Sequence, residues 1–337
     1  MIWSILQLKR TDIPIFLSDR FLSLLIKLRY AIKCSLENLS RLYIYSKGVL
    51  TLFVLWALPL GIAIGAISGF FGVGGGFLLT PILLLLGYSP ATAITISLLY
   101  SMSTSISGAL TYIKKKRVLW TQTLILSISG MISTQLAQPL VIAMERSGID
   151  NTIIPLFYVI LLSYFSLSML SKDTSVGEMN TTSSYSPVLT VLIGLAGGFI
   201  SSVLGVGGGF VMVPLLIRVL RMPPRLAIGT SLATIFLIVT TGFLTYIGKV
   251  EIPWFLAFTL VIGAVIGSRF GANLTDAFSE STIKKLLGTL YLFMLTSIIF
   301  KLLHQPLLGL FTVGAYVLAL MVLFTYQYRT KKKRLFQ

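Results

Sequence analysis

The sequence predicts an all-α membrane protein that crosses the bilayer several times and contains two homologous repeats. Of its 337 residues, 55% are hydrophobic and 11% are charged, whereas soluble domains carry about 25% charged residues. Residues 48–113 contain no Asp, Glu, Lys, Arg or His, and uncharged runs longer than about 18 residues are typical of membrane-spanning helices. The string GVGGGF occurs twice, at 72–77 and at 205–210, which indicates an internal repeat.

The chain begins with a basic leader, residues 1–47, whose apolar residues recur at helical spacing. We expect this leader to lie on the membrane surface as an amphipathic helix. Apolar segments of the first transmembrane repeat (48–171) then run at about 49–71, 77–87, 91–113, 119–144 and 152–171. A polar linker (172–187) separates them from the second repeat (188–304), with segments at about 188–204, 210–220, 226–247, 252–275 and 283–303. An extra helix and a basic tail complete the chain at 305–337.

The repeat is visible in identical residues at a constant spacing. Gly61 and Gly194, like Pro81 and Pro214, are 133 residues apart. After a one-residue insertion the spacing becomes 134, as between Ser97 and Ser231. If each of the five segments in a half crosses the membrane, the second repeat is inverted relative to the first. If the first two segments of each half together form one broken crossing, each half crosses four times and the repeats are parallel. We favour inverted repeats, because the basic stretches at 114–117, 221–225 and 331–334 then share one side of the membrane.

Each GVGGG motif precedes an apolar segment of about half the length that a crossing needs. Non-helical backbone at membrane depth is tolerated only where it is buried in protein or lines a wet cavity. The free N–H groups at the start of a half-helix carry partial positive charge and favour an anion. The alternative is close helix packing through glycine. The predicted substrate-binding residues at the motifs are Gly74, Gly75, Gly76 and Phe77 in the first, and Gly207, Gly208, Gly209 and Phe210 in the second.

Polar side chains within the apolar segments provide further candidates for binding an anion. Ser97 and its repeat partner Ser231 are hydroxyl donors, and Thr230 is adjacent to the second. Each of these hydroxyls has the alternative of bonding to its own helix. Arg269 is the only ionised residue well inside an apolar run, and Gln135 is its repeat counterpart. Arg269 either lines the cavity or extends to the lipid headgroups.

Several functional classes are disfavoured by what the sequence lacks. The apolar runs contain no Asp or Glu, and the sequence shows no metal-ligand cluster and no nucleophile beside a base. We therefore expect no enzyme activity, no cofactor and no metal. The single cysteine, Cys34, excludes a disulfide framework. The net charge of +17 comes from clusters that flank the apolar runs, which is typical of membrane anchoring and not of nucleic-acid binding.

The doubled pattern at 61–81 and 194–214, followed by 227-AIGTSLAT-234, resembles the sulfite exporter TauE/SafE family of membrane permeases. The resemblance covers roughly residues 50–303. It implies a multi-pass carrier in the cell membrane, with two homologous halves, that moves sulfite or a related small sulfur-containing anion. Two alternatives remain open at this point: a passive anion channel on the same scaffold, and a membrane accessory subunit without transport activity.

Overall fold

The computed structural model describes residues 56–86, 88–146, 150–171, 185–204, 206–246, 252–303 and 305–335. The basic leader, most of the polar linker and Gly205 therefore lie outside the described residues. Within the described ranges the regular structure is entirely helical. The helices are α1 (Trp56–Phe71), α2 (Gly76–Leu85), α3 (Pro90–Lys114), α4 (Trp120–Arg146), α5 (Asp150–Leu170), α6 (Pro187–Leu204), α7 (Gly209–Arg218), α8 (Pro224–Tyr246), α9 (Trp254–Leu274), α10 (Glu280–Leu302) and α11 (Pro306–Leu335).

Helix length and composition confirm the predicted class of helical membrane protein. Five helices in the described ranges are long and apolar enough to cross a membrane: α3, α8, α9, α10 and α11. By contrast, α2 and α7 have 10 residues each. At 1.5 Å per residue such a helix spans about 15 Å, roughly half of the hydrocarbon thickness. The two glycine motifs therefore each begin a half-length helix, as predicted from the sequence.

Helices α1 and α9 pack along a face of small residues. A Cβ atom added to Gly65 would lie 2.9 Å from the carbonyl oxygen of Ala264, so the backbones approach too closely for any side chain at this position. Successive contacts advance in the same direction along both helices, which are therefore parallel. Gly61 meets Leu260, Gly65 meets Ala264, and Gly69 meets Ser268.

The repeat-related pair, α6 and α4, packs in the same way. A Cβ atom at Gly194 would lie 2.9 Å from the carbonyl oxygen of Leu126. Further along both helices, the Thr134 hydroxyl donates to the carbonyl oxygen of Gly198 at 3.2 Å. These helices are also parallel, and each repeat thus contributes one glycine-rich helix that packs against a helix of the other repeat.

Helices α3 and α8 occupy equivalent positions in the two repeats and pack against each other in opposite directions. A Cβ atom at Gly108, near the end of α3, would lie 2.9 Å from a methyl carbon of Leu232, near the start of α8. A Cβ atom at Gly242, near the end of α8, would lie 3.6 Å from a methyl carbon of Leu98, near the start of α3. The two equivalent helices are therefore antiparallel.

The basic loops after α3 and before α8 meet at one end of the helices, which we call the basic face. Lys115 forms an ion pair with Asp276 at 2.8 Å, and Arg117 pairs with the same carboxylate. In the first turn of α8, next to the second loop, Arg225 donates to the carbonyl oxygen of Phe278 at 2.6 Å. Because residues 276 and 278 follow α9 directly, both basic loops lie at the same end of the structure.

The glycine packing of α1 predicts a contrast between two alanine substitutions. Gly65→Ala forces α1 and α9 apart, and overpacking of this kind costs about 1–3 kcal/mol. At Gly314 in α11, an added Cβ atom meets no other atom within 4 Å, and alanine favours helix over glycine. Thermal unfolding of the purified protein in detergent should show a lower melting temperature for Gly65→Ala and an unchanged or raised one for Gly314→Ala. Equal melting temperatures for the two variants would contradict this packing.

Candidate functional site

The glycine motifs form two non-helical segments, which we call the first break (72–75, before α2) and the second break (206–208, before α7). Gly72 and Gly74 have φ values of 72° and 76°, and Gly207 and Gly208 have values of 83° and 72°. This left-handed region is readily accessible only to glycine. The repeated glycines are therefore required by the backbone conformation that interrupts each membrane helix.

The two breaks lie directly against each other. A Cβ atom added to Gly209 would lie 2.7 Å from the carbonyl oxygen of Gly72, which belongs to the first break. Immediately beyond the breaks, the rings of Phe77 and Phe210 stack with centroids 4.9 Å apart and an angle of 14° between their planes. Both side chains are fully buried. The N-terminal ends of α2 and α7 thus meet inside the protein, where the two repeats are in contact.

Hydroxyl groups of α3 satisfy the amides of the first break. The Gly76 N–H donates to the Ser101 hydroxyl oxygen at 2.7 Å, and the Gly75 N–H donates to that of Thr104 at 3.4 Å. Both hydroxyl-bearing side chains are fully buried. An unpaired amide at this depth costs several kcal/mol. The first half-helix therefore receives from α3 the N-terminal cap that its own glycines cannot supply.

The second break is not capped in this way by α8. Ile235 and Ile238 occupy the repeat positions of Ser101 and Thr104, and neither side chain can accept a hydrogen bond. Ile235 packs between the breaks, with Cγ2 3.6 Å from a Cβ atom built at Gly74 and 3.4 Å from one built at Gly207. We call the place where the first and second breaks meet the crossing of the breaks. It therefore has a hydroxyl-rich side on α3 and an aliphatic side on α8.

Among the predicted hydroxyl residues, Ser231 and Ser97 differ in their bonding. The Ser231 hydroxyl donates to the Gly72 carbonyl oxygen at 3.1 Å. The Ser97 hydroxyl is fully buried and has no hydrogen-bond partner in the described part of the chain. Thr230 serves a different place, because its hydroxyl oxygen accepts from the Leu119 N–H at 3.2 Å, beside the loop before α4. Ser231 is thus brought to the first break, Ser97 lies one helical turn before Ser101 on α3, and Thr230 is not brought to the breaks.

Arg269 and Gln135 are not brought together with the breaks. Both side chains are exposed, on α9 and α4 respectively. The face of α9 that packs against α1 carries Gly267 and Gly271, and a residue two positions from each lies about 200° around the helix. The Arg269 side chain therefore points away from the helix contacts that surround the breaks.

Tyrosine residues around the crossing were not identified from the sequence. The Tyr291 hydroxyl donates to the Phe210 carbonyl oxygen at 2.8 Å. The Tyr158 ring stacks on Phe210 with a centroid distance of 6.0 Å, and its buried hydroxyl has no partner among the described residues. These two tyrosines are 133 residues apart, close to the spacing of 134 between Gln135 and Arg269 on the preceding helices. This near-repeat spacing is the signal in the sequence that could have found them.

The chemistry available at the crossing is that of uncharged hydrogen-bond donors and acceptors. No group of three or more His, Cys, Asp or Glu side chains that could hold a metal ion occurs in the ranges that the structure describes. Serine and threonine hydroxyls and backbone amides can donate to the oxygen atoms of an anion. The arrangement can therefore bind a small oxyanion without a metal and without an ionised side chain.

Comparison with known proteins identifies the family. Residues 57–298 match the family model described as sulfite exporter TauE/SafE. The probable membrane transporter protein YunE of Bacillus subtilis is 28% identical, over 66% of this chain and 89% of that protein. A probable membrane transporter protein of Methanocaldococcus jannaschii is 27% identical, over 70% of this chain and 92% of its own length.

No solved structure matches the chain. The family match covers well over half of the sequence, and the relatives are matched over most of their length. The helices of this chain are long and apolar enough to cross a membrane. The chain therefore belongs to the sulfite exporter TauE/SafE family of membrane transporters.

Proposed function

We propose that this membrane transporter is a secondary carrier of a small sulfur-containing anion, sulfite or a close relative. The observation that carries the proposal is the meeting of two half-helix N-termini inside the protein, marked by the stacked Phe77 and Phe210 rings. Helix N-termini favour anions. The sequence around them, 48–113 and 187–217, contains no ionised residue, so hydroxyls and amides are the groups available to bind the substrate.

The packing of the repeats supports an alternating-access mechanism. In transporters with inverted repeats, the substrate lies near the bilayer midplane where the repeats meet, beside discontinuous helices. The antiparallel packing of the equivalent helices α3 and α8 favours inverted over parallel repeats. Movement of one repeat relative to the other then opens the crossing of the breaks to each side of the membrane in turn.

The basic face indicates how the protein is oriented in the membrane. Lys and Arg residues are enriched in loops on the cytoplasmic side, and the basic face carries Lys114, Lys115, Lys116 and Arg117 from one loop together with Arg221 and Arg225 from the other. We infer that this face is cytoplasmic. The ends of α3 and α9 and the start of α8 then lie at the inner surface of the membrane.

Flux measurements on purified protein in liposomes test the proposed function. Liposomes that contain the protein should exchange radiolabelled sulfite at a rate proportional to the amount of protein. A pH gradient should drive accumulation if transport is coupled to protons. Sulfite movement that only equilibrates the gradient and never accumulates the anion would indicate a channel. The absence of flux for sulfite and for simple sulfonates, with correctly inserted protein, would contradict a carrier of such anions.

The exposed position of Arg269 leads to a second prediction. Arg269→Gln should leave the concentration dependence of sulfite flux unchanged, because the side chain points away from the breaks. Gln is also the residue at the repeat position, Gln135, so we expect the variant to fold and insert normally. A tenfold loss of apparent affinity, or a loss that grows as pH rises and doubly charged sulfite becomes dominant, would instead place Arg269 in the anion pathway.

A further inference from the structure

Three serines of α3 form a row at the crossing of the breaks, which we call the serine ladder: Ser97, Ser101 and Ser105. They are four residues apart, so they lie on one face of the helix. The central member, Ser101, accepts the Gly76 N–H of α2. Its Cβ atom also lies 3.5 Å from a Cβ atom built at Gly207 in the second break. The central serine of the ladder therefore contacts both half-helix starts, and the other two lie one turn before and one turn after it.

The outer two serines of the ladder are fully buried and have hydroxyl oxygens without a hydrogen-bond partner in the described ranges. A buried hydroxyl without a partner costs about 1–3 kcal/mol, and native proteins rarely retain such groups. Ser97 and Ser105 flank Ser101 by one turn on each side. Two unpartnered donors thus lie on either side of a contact with both breaks.

The equivalent face of α8 carries one serine and two aliphatic residues in place of the three ladder serines. The repeat positions of the three ladder serines are Ser231, Ile235 and Val239. Ser231 is committed to the Gly72 carbonyl oxygen, and Val239 packs 3.1 Å from a Cβ atom built at Gly207. Among the described residues, the unpartnered hydroxyl donors of these two helix faces therefore lie on α3.

We propose that the serine ladder of α3 is the substrate-binding subsite of the crossing, and that it takes a singly charged oxyanion. This proposal rests on the proposed function and adds to it the side of the crossing and the charge of the substrate. Bisulfite or a sulfonate fits such a subsite. Eight residues, about 12 Å of helix, separate Ser97 from Ser105, so one small anion reaches the two hydroxyls in turn and not together. Each hydroxyl donates to the oxygen atoms of the anion and can also accept a hydrogen bond from the O–H of a protonated anion.

The restriction to one charge follows from the surroundings of the ladder. Among the described residues, the titratable groups shown around the crossing are Tyr100, Tyr158 and Tyr291, whose hydroxyls remain protonated at neutral pH. The nearest stretches of sequence, 48–113, 187–217 and 226–246, contain no ionised side chain. The free-energy cost of burying an ion rises with the square of its charge. These stretches carry no cation that could offset this cost for a dianion. Neutral donors are therefore suited to a monoanion.

The charge of the substrate is tested with wild-type protein in liposomes at equal pH inside and outside. At constant total sulfite, the initial rate of exchange should rise as pH falls through neutrality, following the fraction of bisulfite. Exchange of methanesulfonate, which keeps one charge over this range, should not depend on pH, and sulfate should not be carried. Sulfate exchange at a comparable rate, or sulfite exchange that is flat or rises with pH, would overturn the proposal. If none of the anions is exchanged, both the serine-ladder proposal and the proposed function are wrong.

The subsite is tested with three serine variants assayed for methanesulfonate at pH 7. Ser97→Ala and Ser105→Ala should each weaken apparent affinity about tenfold, as expected for a hydrogen bond to a charged group. Ser103→Ala is the matched control on the same helix, because the Ser103 hydroxyl donates to the Leu99 carbonyl oxygen of its own helix. This control should retain affinity within about twofold.

Thermal unfolding without substrate separates binding from a structural role. Ser97→Ala and Ser105→Ala remove hydroxyls that have no hydrogen-bond partner in the described part of the chain, so the melting temperature should not fall. Ser231→Ala leaves the Gly72 carbonyl oxygen without its donor and should lower it. Wild-type affinity in both ladder variants would overturn the proposed subsite. So would a loss of thermal stability like that of Ser231→Ala without a loss of affinity.

Discussion

The structure depends on the requirement that backbone amide and carbonyl groups inside a membrane find partners within the protein. Each glycine break interrupts a helix at a depth where water cannot satisfy the freed groups. The protein meets this requirement by placing the two breaks against each other and by surrounding them with hydroxyl groups. The Ser101 and Thr104 hydroxyl oxygens accept hydrogen bonds from amides at the start of the first half-helix. Ser231 donates to a carbonyl oxygen of the first break, and Tyr291 donates to the Phe210 carbonyl oxygen.

The same requirement explains the distribution of small residues. The breaks can meet only if the helices that carry them approach their neighbours closely. The glycines of α1 pack on α9 and those of α6 pack on α4, at distances that leave no space for a Cβ atom. Close packing through glycine and a ligand-binding role at the breaks were alternatives at the level of sequence. In the structure, packing glycines lie within the helices, and the glycines with positive φ lie at the breaks.

The two repeats carry different side chains where α3 and α8 meet the breaks. An ancestral symmetric arrangement would place the same groups on both sides of the crossing. Here the α3 side carries serine and threonine, and the α8 side carries isoleucine and valine. A carrier must bind its substrate weakly enough to release it, and one polar wall opposite an apolar wall provides fewer donors than two polar walls. The two repeats thus share a backbone architecture and differ in the chemistry that they present.

Much of this arrangement could be predicted from the sequence, because glycine runs and charge-free segments have few alternative explanations in a membrane protein. The half-length helices α2 and α7 and the family followed from the repeated GVGGG motif. The positions of Arg269 and Thr230 could not be predicted, because the sequence does not specify which face of a helix its neighbours cover. Tyr158 and Tyr291 were missed for a related reason, since the similarity between the repeats fades before α5 and α10 and only their spacing remains.

Hydrogen exchange of the backbone amides tests directly whether the substrate binds where the two breaks meet. Exchange followed by mass spectrometry, with and without sulfite, reports protection for peptides that cover each break. We expect slower exchange with sulfite in peptides that contain residues 73–78 and 206–211, with little change in peptides from α11. Protection confined to the basic loops, or the same exchange at both breaks with and without bound sulfite, would contradict it.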